Sequence, residues 1–235
     1  MPKGFFVTGT DTGVGKTVVS AALIRLLMFH GRSVFAMKPI ESGCGRHGDT
    51  LIPFDGMFLK QTAHMPEAVS SVTPCCFESP LSPFAASERE PREINPERFR
   101  KTFYRLFRKY DTAVVEGIGG LMVPIRSDYF VVDLAREFNL PLIVVARPGL
   151  GTLNHTMLTV TCALREGLKV AGVVINYANP PENTEAEKTN VQVLRQICPA
   201  PVIGELPHIR SLDEDVLQKT ALRNLDAEMI KKYLL

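Results

Sequence analysis

The stretch from Phe5 to Thr17, FFVTGTDTGVGKT, constrains this chain more than any other, because an apolar run leads into a glycine-bearing loop ending in Gly15-Lys16-Thr17. Small residues let backbone N–H groups turn inward on a phosphate chain, while a lysine and a helix N-terminus add positive potential. Thr17 supplies a hydroxyl where such loops ligate the Mg²⁺ that accompanies a nucleotide. The common spacing is Gly, four residues, then Gly-Lys-Ser/Thr, and counting back from Gly15 lands on Thr10, whereas the first glycine is Gly9. The loop is one residue longer than usual and points to a subfamily of phosphate-loop proteins. An ordinary glycine turn is the competing reading, and the strand-loop-helix context speaks against it.

At 235 residues and 45% hydrophobic content, the chain is long enough for one full α/β core, and a single phosphate-loop domain over 1–235 is expected. A formal net charge of +2 gives no case for nucleic-acid binding. The basic residues between Arg98 and Lys109 read as the solvated face of a helix. Cys44, Cys75, Cys76, Cys162 and Cys198 form no CxxC pair and leave an odd one over, so neither a disulfide framework nor a zinc site is indicated. The first apolar run is broken too early, by Thr8 and Gly9, for a signal peptide, and no stretch approaches a membrane span. A reducing cytoplasm is the expected location.

Short β-rich runs alternate with helical patterns, which predicts a three-layer sandwich: a mostly parallel central sheet flanked by helices. Strands are predicted at Gly4–Val7, Ser33–Lys38, Thr112–Glu116, Leu142–Ala146, Val170–Asn176 and Pro201–Gly204. Helices are predicted at Lys16–His30, Pro96–Lys109 and Asn154–Glu166, with shorter ones near Asp213–Lys219 and Leu225–Tyr233. Two segments lie after strand C-terminal ends, where open α/β sheets bind ligands. Pro39–Ser87 is a long Pro-, Gly- and Ser-rich region with one helical stretch near Asp55–Gln61, and Gly117–Asp128 joins a strand to a helix through Gly117, Gly119 and Gly120.

Glu116 closes an apolar run, the place where a phosphate-loop protein holds its metal, although a carboxylate capping the next turn would look the same. Asp55, before Gly56, reads equally as a turn or helix-cap residue. Lys38 could add charge where a γ-phosphate is transferred, or be a surface lysine. Asn176, with Tyr177 beside it, could read a purine edge or start the turn before Pro180-Pro181. Gly149 to Asn154 could form an anion nest or a plain connection. The five histidines show no ligand spacing, and no serine elbow or Cys-His pairing is evident. Metal-assisted phosphoryl transfer is the chemistry these residue types fit.

Taken in order, Thr8 to Thr17, Lys38-Pro39 with Ser42-Gly43, Asp55, Val115-Glu116-Gly117 with Gly119-Gly120, Gly151 to His155, Asn176, and Pro199 to Gly204-Glu205-Leu206-Pro207 form one pattern. The pattern resembles the dethiobiotin synthetase family over nearly the whole chain, and the displaced first glycine is what that family shows. The resemblance implies an ATP-dependent ligase that closes the ureido ring of dethiobiotin from 7,8-diaminopelargonic acid and CO₂. It implies that Gly13, Val14, Gly15, Lys16, Thr17 and Val18 wrap the phosphates, and that Thr17, Asp55 and Glu116 bind Mg²⁺. Lys16 and Lys38 would flank the transferred phosphoryl group, with Lys38 catalytic; Thr12 and Ser42 would touch the diamine or its carbamate. Gly117, Ile118 and Gly119 would approach the nucleotide; Asn176 and Tyr177 would meet adenine, with Pro207, His208 and Ile209 near the base. The substrate carboxylate would reach Gly151, Thr152, Leu153 and Asn154 of a second subunit, which implies a homodimer with composite sites.

Three rivals remain at this point. A phosphate-loop amidoligase would normally carry a glutaminase domain, for which this chain is too short. A nucleotide-switch ATPase of the partition or assembly type would carry a second lysine early in the loop, where Thr10 and Asp11 stand. A relative that binds nucleotide without turnover is disfavoured by the intact set Lys16, Thr17, Lys38 and Glu116.

Overall fold

Six apolar runs become the six strands of one parallel sheet in the computed structural model, which describes residues 3–234. β1 (Gly4–Gly9) passes through the phosphate loop into α1 (Lys16–Phe29), and β2 (Val34–Met37) follows. The chain then leaves the sheet for β3 (Ile40–Glu41), the hairpin β4 (Gly45–His47) and β5 (Thr50–Ile52), α2 (Phe54–Thr62), α3 (Val69–Val72), β6 (Cys75–Cys76) and α4 (Pro83–Arg89). It returns through α5 (Pro96–Phe107) to β7 (Thr112–Gly120), then the hairpin β8 (Pro124–Arg126) and β9 (Tyr129–Phe130), and α6 (Val131–Phe138). The last third alternates regularly: β10 (Leu142–Ala146), α7 (Thr152–Arg165), β11 (Val170–Asn176), α8 (Glu185–Ile197), β12 (Val202–Leu206), α9 (Glu214–Asn224) and α10 (Ala227–Lys231).

The strand order is β12-β11-β10-β1-β7-β2. β1 is thus central, and the order reverses on either side of it, so the phosphate loop emerges at the crevice where open sheets bind ligands. Val7 of β1 lies beside Ile143 on one flank and Glu116 on the other. Both faces of the sheet are covered, which is why its strands read as continuous apolar runs instead of alternating. On one face Phe103 of α5 stacks on Phe138 of α6 with ring centroids 4.6 Å apart and meets Phe35 of β2 edge-on at 5.6 Å. Pro96 after the Asn95 cap starts α5, and the Asn95 side chain accepts from Arg98 N at 3.1 Å.

Close packing of β1 on β7 requires a glycine at the start of the sheet. Gly4 has φ +142°, and a Cβ there would stand 2.0 Å from the Ala113 carbonyl oxygen. Gly4→Ala is expected to remove about 3 kcal/mol of stability through strain and displaced backbone. An unchanged denaturant midpoint would contradict this.

Several boundaries differ from the sequence reading. The third predicted strand, Thr112–Glu116, continues as β7 to Gly120, because Gly120 pairs with Gly9 after an irregularity in the ladder. Gly117, Gly119 and Gly120 therefore belong to the strand, and a short hairpin, not a bare loop, leads on to the next helix. Pro39–Ser87 is organised by paired short strands and three helices. α8 went unpredicted because only Asn190, Val191 and Leu194 of it are buried, too narrow a stripe to register as periodic. Among the described residues no helix is long and apolar enough to cross a membrane.

Candidate active site

The phosphate loop takes its shape from two left-handed glycines, Gly13 at φ +77° and Gly15 at φ +86°. Its extra length is anchored, since Thr10 N donates to the Val145 carbonyl of β10 at 2.9 Å. Lys16 crosses the loop and donates through Nζ to the Asp11 carbonyl at 3.2 Å. α1 begins at Lys16 with no side chain capping it, so its first N–H groups remain available to an anion.

Lys38 follows β2 and is buried, and its Nζ donates to Glu116 Oε1 at 2.8 Å and to the Asp55 carboxylate. Thr17 Oγ1 donates to the same Glu116 oxygen at 2.9 Å. The strand that carries Glu116, the segment after β2, the first turn of α2 and the first turn of α1 thus converge on one point. Glu116 Oε2 is buried and has no hydrogen-bond partner among the described residues. Burial works against the Lys38 ammonium, but the Glu116 and Asp55 carboxylates outweigh it and hold its pKa above the usual lysine range. Lys16 goes the other way: burial lowers it, Glu116 opposes, and the neighbouring Lys38 charge adds to the depression.

These groups line a cleft of about 550 Å³ that also takes in Thr12, Ser42, Ile118 and Gly119. Asp55 is neither a turn residue nor a cap; it is the second residue of α2, pointing from its first turn at Lys38. Glu41, which sequence reasoning missed, is buried in the same wall and accepts from Asp55 N at 3.0 Å and Gly56 N at 2.9 Å. Burial raises its pKa, with Lys38 acting against the shift. No local pattern signals Glu41, because its partners lie 14 and 15 residues further on.

A second recess continues from Thr12, Gly13 and Val14 to Arg147, Asn176 and Tyr177. Asn176 is buried, donates from Nδ2 to the Val14 carbonyl at 2.9 Å and leaves Oδ1 without a partner among the described residues. A Cβ on Gly15 would fall 2.1 Å from Asn176 Nδ2, so the loop packs directly on this amide. Arg147, also missed, directly follows β10 and stands 3.9 Å from Asp11; a charge at the end of an apolar run is the same signal that singled out Glu116. Pro207 and His208 line a further recess with Tyr177, whereas Ile209 packs on the core. Gly117 likewise faces Phe6 and Val131, away from the cleft. Gly151, at φ +90°, precedes α7, and Gly151 and Asn154 are exposed, Leu153 is half-buried and Thr152 is buried. This segment lines neither the main cleft nor the Asn176 recess.

The chain is 44% identical over 237 residues to the ATP-dependent dethiobiotin synthetase of Thermodesulfovibrio yellowstonii, a match that covers 98% of this chain and 99% of that protein. The chain belongs to the dethiobiotin synthetase family. The Bacillus subtilis (strain 168) dethiobiotin synthetase is 38% identical, over 92% of this chain and 91% of its own length. A family profile described as an AAA domain matches residues 3–216. Among solved structures, the septum site-determining protein MinD from Pyrococcus horikoshii, complexed with Mg-ADP, has a TM-score of 0.57 at 15% identity and covers all of this chain and 95% of its own. A ParA family ATPase from Chlorobium tepidum has a TM-score of 0.54 at 15% identity, again over the whole chain and 97% of its own. These two share the phosphate-loop fold. As a dethiobiotin synthetase, the chain is an ATP-dependent ligase, as the resemblance implies.

Proposed function

We propose that this chain forms dethiobiotin from 7,8-diaminopelargonic acid, CO₂ and ATP in the cleft between the phosphate loop, Lys38 and Glu116, releasing ADP and phosphate. The observation that supports this reading most is the buried Lys38 ammonium, held between Glu116 and Asp55 in the same cleft as Lys16 and Thr17. One amine of the diamine adds to CO₂ and loses a proton, giving a carbamate. A carbamate oxygen attacks the γ-phosphorus as the bond to ADP breaks, leaving a mixed carbamic-phosphoric anhydride. The second amine attacks the carbamate carbon, expels phosphate and loses a proton, which closes the ring. Charge gathers on the transferred phosphoryl group, and Lys16 and Lys38 are the fixed cations that flank it.

The backbone N–H groups from Gly13 to Val18 grip the phosphate chain, with Ile118 and Gly119 across from them. Thr12 and Ser42 border the phosphoryl end of the cleft and bind the carbamate there. Asn176 Nδ2 is committed to Val14, so Oδ1 is the free acceptor that meets the exocyclic amine of adenine, beside Tyr177, Pro207 and His208.

The residues present fit a Mg²⁺ ion. Thr17, Asp55 and Glu116 are hard oxygen donors, and the unpartnered, buried Glu116 Oε2 is the group such an ion satisfies. When bound, the ion would neutralise phosphate charge and polarise the transferred group. Among the described residues no three His, Cys, Asp or Glu side chains cluster to hold a metal, so the protein supplies only part of the ligand set.

The segment from Gly151 to Asn154 serves the carboxylate tail of a diamine bound to the other subunit of a homodimer. Leu150 beside it is 88% exposed and Leu158 of α7 is 62% exposed, apolar area of the kind a partner subunit covers. Mixing Lys38→Ala protein with Asn154→Ala protein then restores one intact site in each mixed dimer, up to about a quarter of wild-type activity under random exchange. No restoration at any mixing ratio would count against a shared site.

The reaction is tested directly by supplying ATP, Mg²⁺, bicarbonate and the diamine and looking for dethiobiotin by mass. ATP hydrolysis that ignores the diamine would overturn the reading.

A further inference from the structure

We propose that Glu41 is a positioning residue that sets where the Asp55 carboxylate stands over the cleft. The proposal rests on the reading of Asp55 as part of the Mg²⁺ site. Pro53 stands at the N-cap position of α2 and supplies no side-chain acceptor, so the first N–H groups of that helix need a partner from elsewhere. Glu41 supplies it with both oxygens, Oε1 to Asp55 N and Oε2 to Gly56 N, the two donors that a local Ser or Asp cap would normally satisfy. Its negative charge also suits the positive end of the helix.

Two further features show that this contact is built in. The Glu41 backbone is fastened on the far side, where its carbonyl accepts from Phe77 N at 2.8 Å within the β3–β6 pairing. α2 approaches so closely that only glycine fits at its third residue: a Cβ on Gly56 would lie 1.9 Å from Thr73 Oγ1 and 3.5 Å from Glu41 Oε2. The glycine that permits the approach also weakens the helix start. Without Glu41 that first turn frays, and Asp55, whose side chain is 44% exposed, is no longer held opposite Lys38. Glu41 acts through Asp55 and touches no reacting atom.

The test uses the full chain and a non-hydrolysable β,γ-methylene ATP analogue, titrated by calorimetry with and without Mg²⁺. Glu41→Ala is expected to cut the Mg²⁺-dependent gain in affinity about fivefold to tenfold, the scale of a lost helix cap, while binding without Mg²⁺ stays within about twofold. Glu41→Gln keeps one acceptor and turns an N–H donor towards the other amide, so about a threefold loss is expected; it carries the test if Glu41→Ala does not fold. Hydrogen exchange at Asp55 and Gly56 should quicken in both. Faster exchange with an unchanged Mg²⁺ gain would make Glu41 merely structural and overturn the proposal. Asp55→Ala separates the two readings. If it loses the Mg²⁺ gain while the Glu41 variants keep theirs, only the Glu41 proposal falls; if it keeps the full gain, the Mg²⁺ role of Asp55 falls and takes the proposal with it.

Discussion

Lys38→Ala is expected to lower turnover by about 10³-fold while ATP binding weakens by no more than about threefold. The difference follows from where the ammonium stands. Lys38 Nζ is 2.8 Å from Glu116 and also paired with Asp55, at the proposed phosphoryl end of the cleft, whereas the groups proposed to grip the nucleotide are mainly loop backbone and the α1 N-terminus. An interaction made chiefly with charge that develops during transfer appears in kcat and hardly in ground-state affinity. The same substitution strips a buried carboxylate of its cation: the Lys38 and Glu116 side chains are 6% and 0% exposed. A stability loss of about 3 kcal/mol is therefore expected in the nucleotide-free protein. Single-turnover ADP formation together with calorimetric binding decides the matter, and turnover within a few-fold of wild type would refute the role of Lys38.

Glu116→Gln is expected to lower turnover by about 10²-fold and to raise the Mg²⁺ concentration needed for half activity. The amide keeps an oxygen for the hydrogen bonds from Thr17 and Lys38, which in the native protein run to Glu116 Oε1 at 2.9 and 2.8 Å. Shape is thus largely preserved and the change is one of charge. What is lost is the second carboxylate oxygen, buried and without a partner, which is the group proposed to meet the ion. The measurement is turnover as a function of Mg²⁺ concentration. A curve superimposable on the wild type would remove Glu116 from the metal site.

Much of the sheet was legible because each strand is buried on both faces and reads as a solid apolar run; Leu142–Ala146 and Val170–Asn176 match their predicted bounds. The phosphate loop was legible because its chemistry lies in consecutive residues. Asp55 and Lys38 each had an equally good structural explanation in sequence, and only their meeting across 17 positions distinguishes them. Glu41 was invisible for the same reason: a helix normally finds its cap next door, and α2 takes its cap from another strand. The glycines after Glu116 were misread as a loop because glycine ordinarily weakens strands. Here Gly117 admits the Phe6 ring, whose nearest atom would lie 3.0 Å from a Cβ at that position. The narrow buried stripe of α8 hid a helix that matters locally, since Asn190 donates from Nδ2 to the Pro148 and Gly149 carbonyls at 2.9 and 3.1 Å and holds the turn before α7.

The contact between Asn176 and the loop makes the site a caliper. Its jaws are the amide proposed to read adenine and the backbone proposed to wrap the phosphates, and they are bolted together by the 2.9 Å bond to Val14. Their spacing is therefore set before any nucleotide arrives. On the proposed contacts, adenine alone or triphosphate alone would engage one jaw, and only a molecule with both groups at the right distance would close on two. Gly15 is the hinge pin of that tool: any side chain there would drive the jaws apart, because its first carbon would already stand 2.1 Å from Asn176 Nδ2.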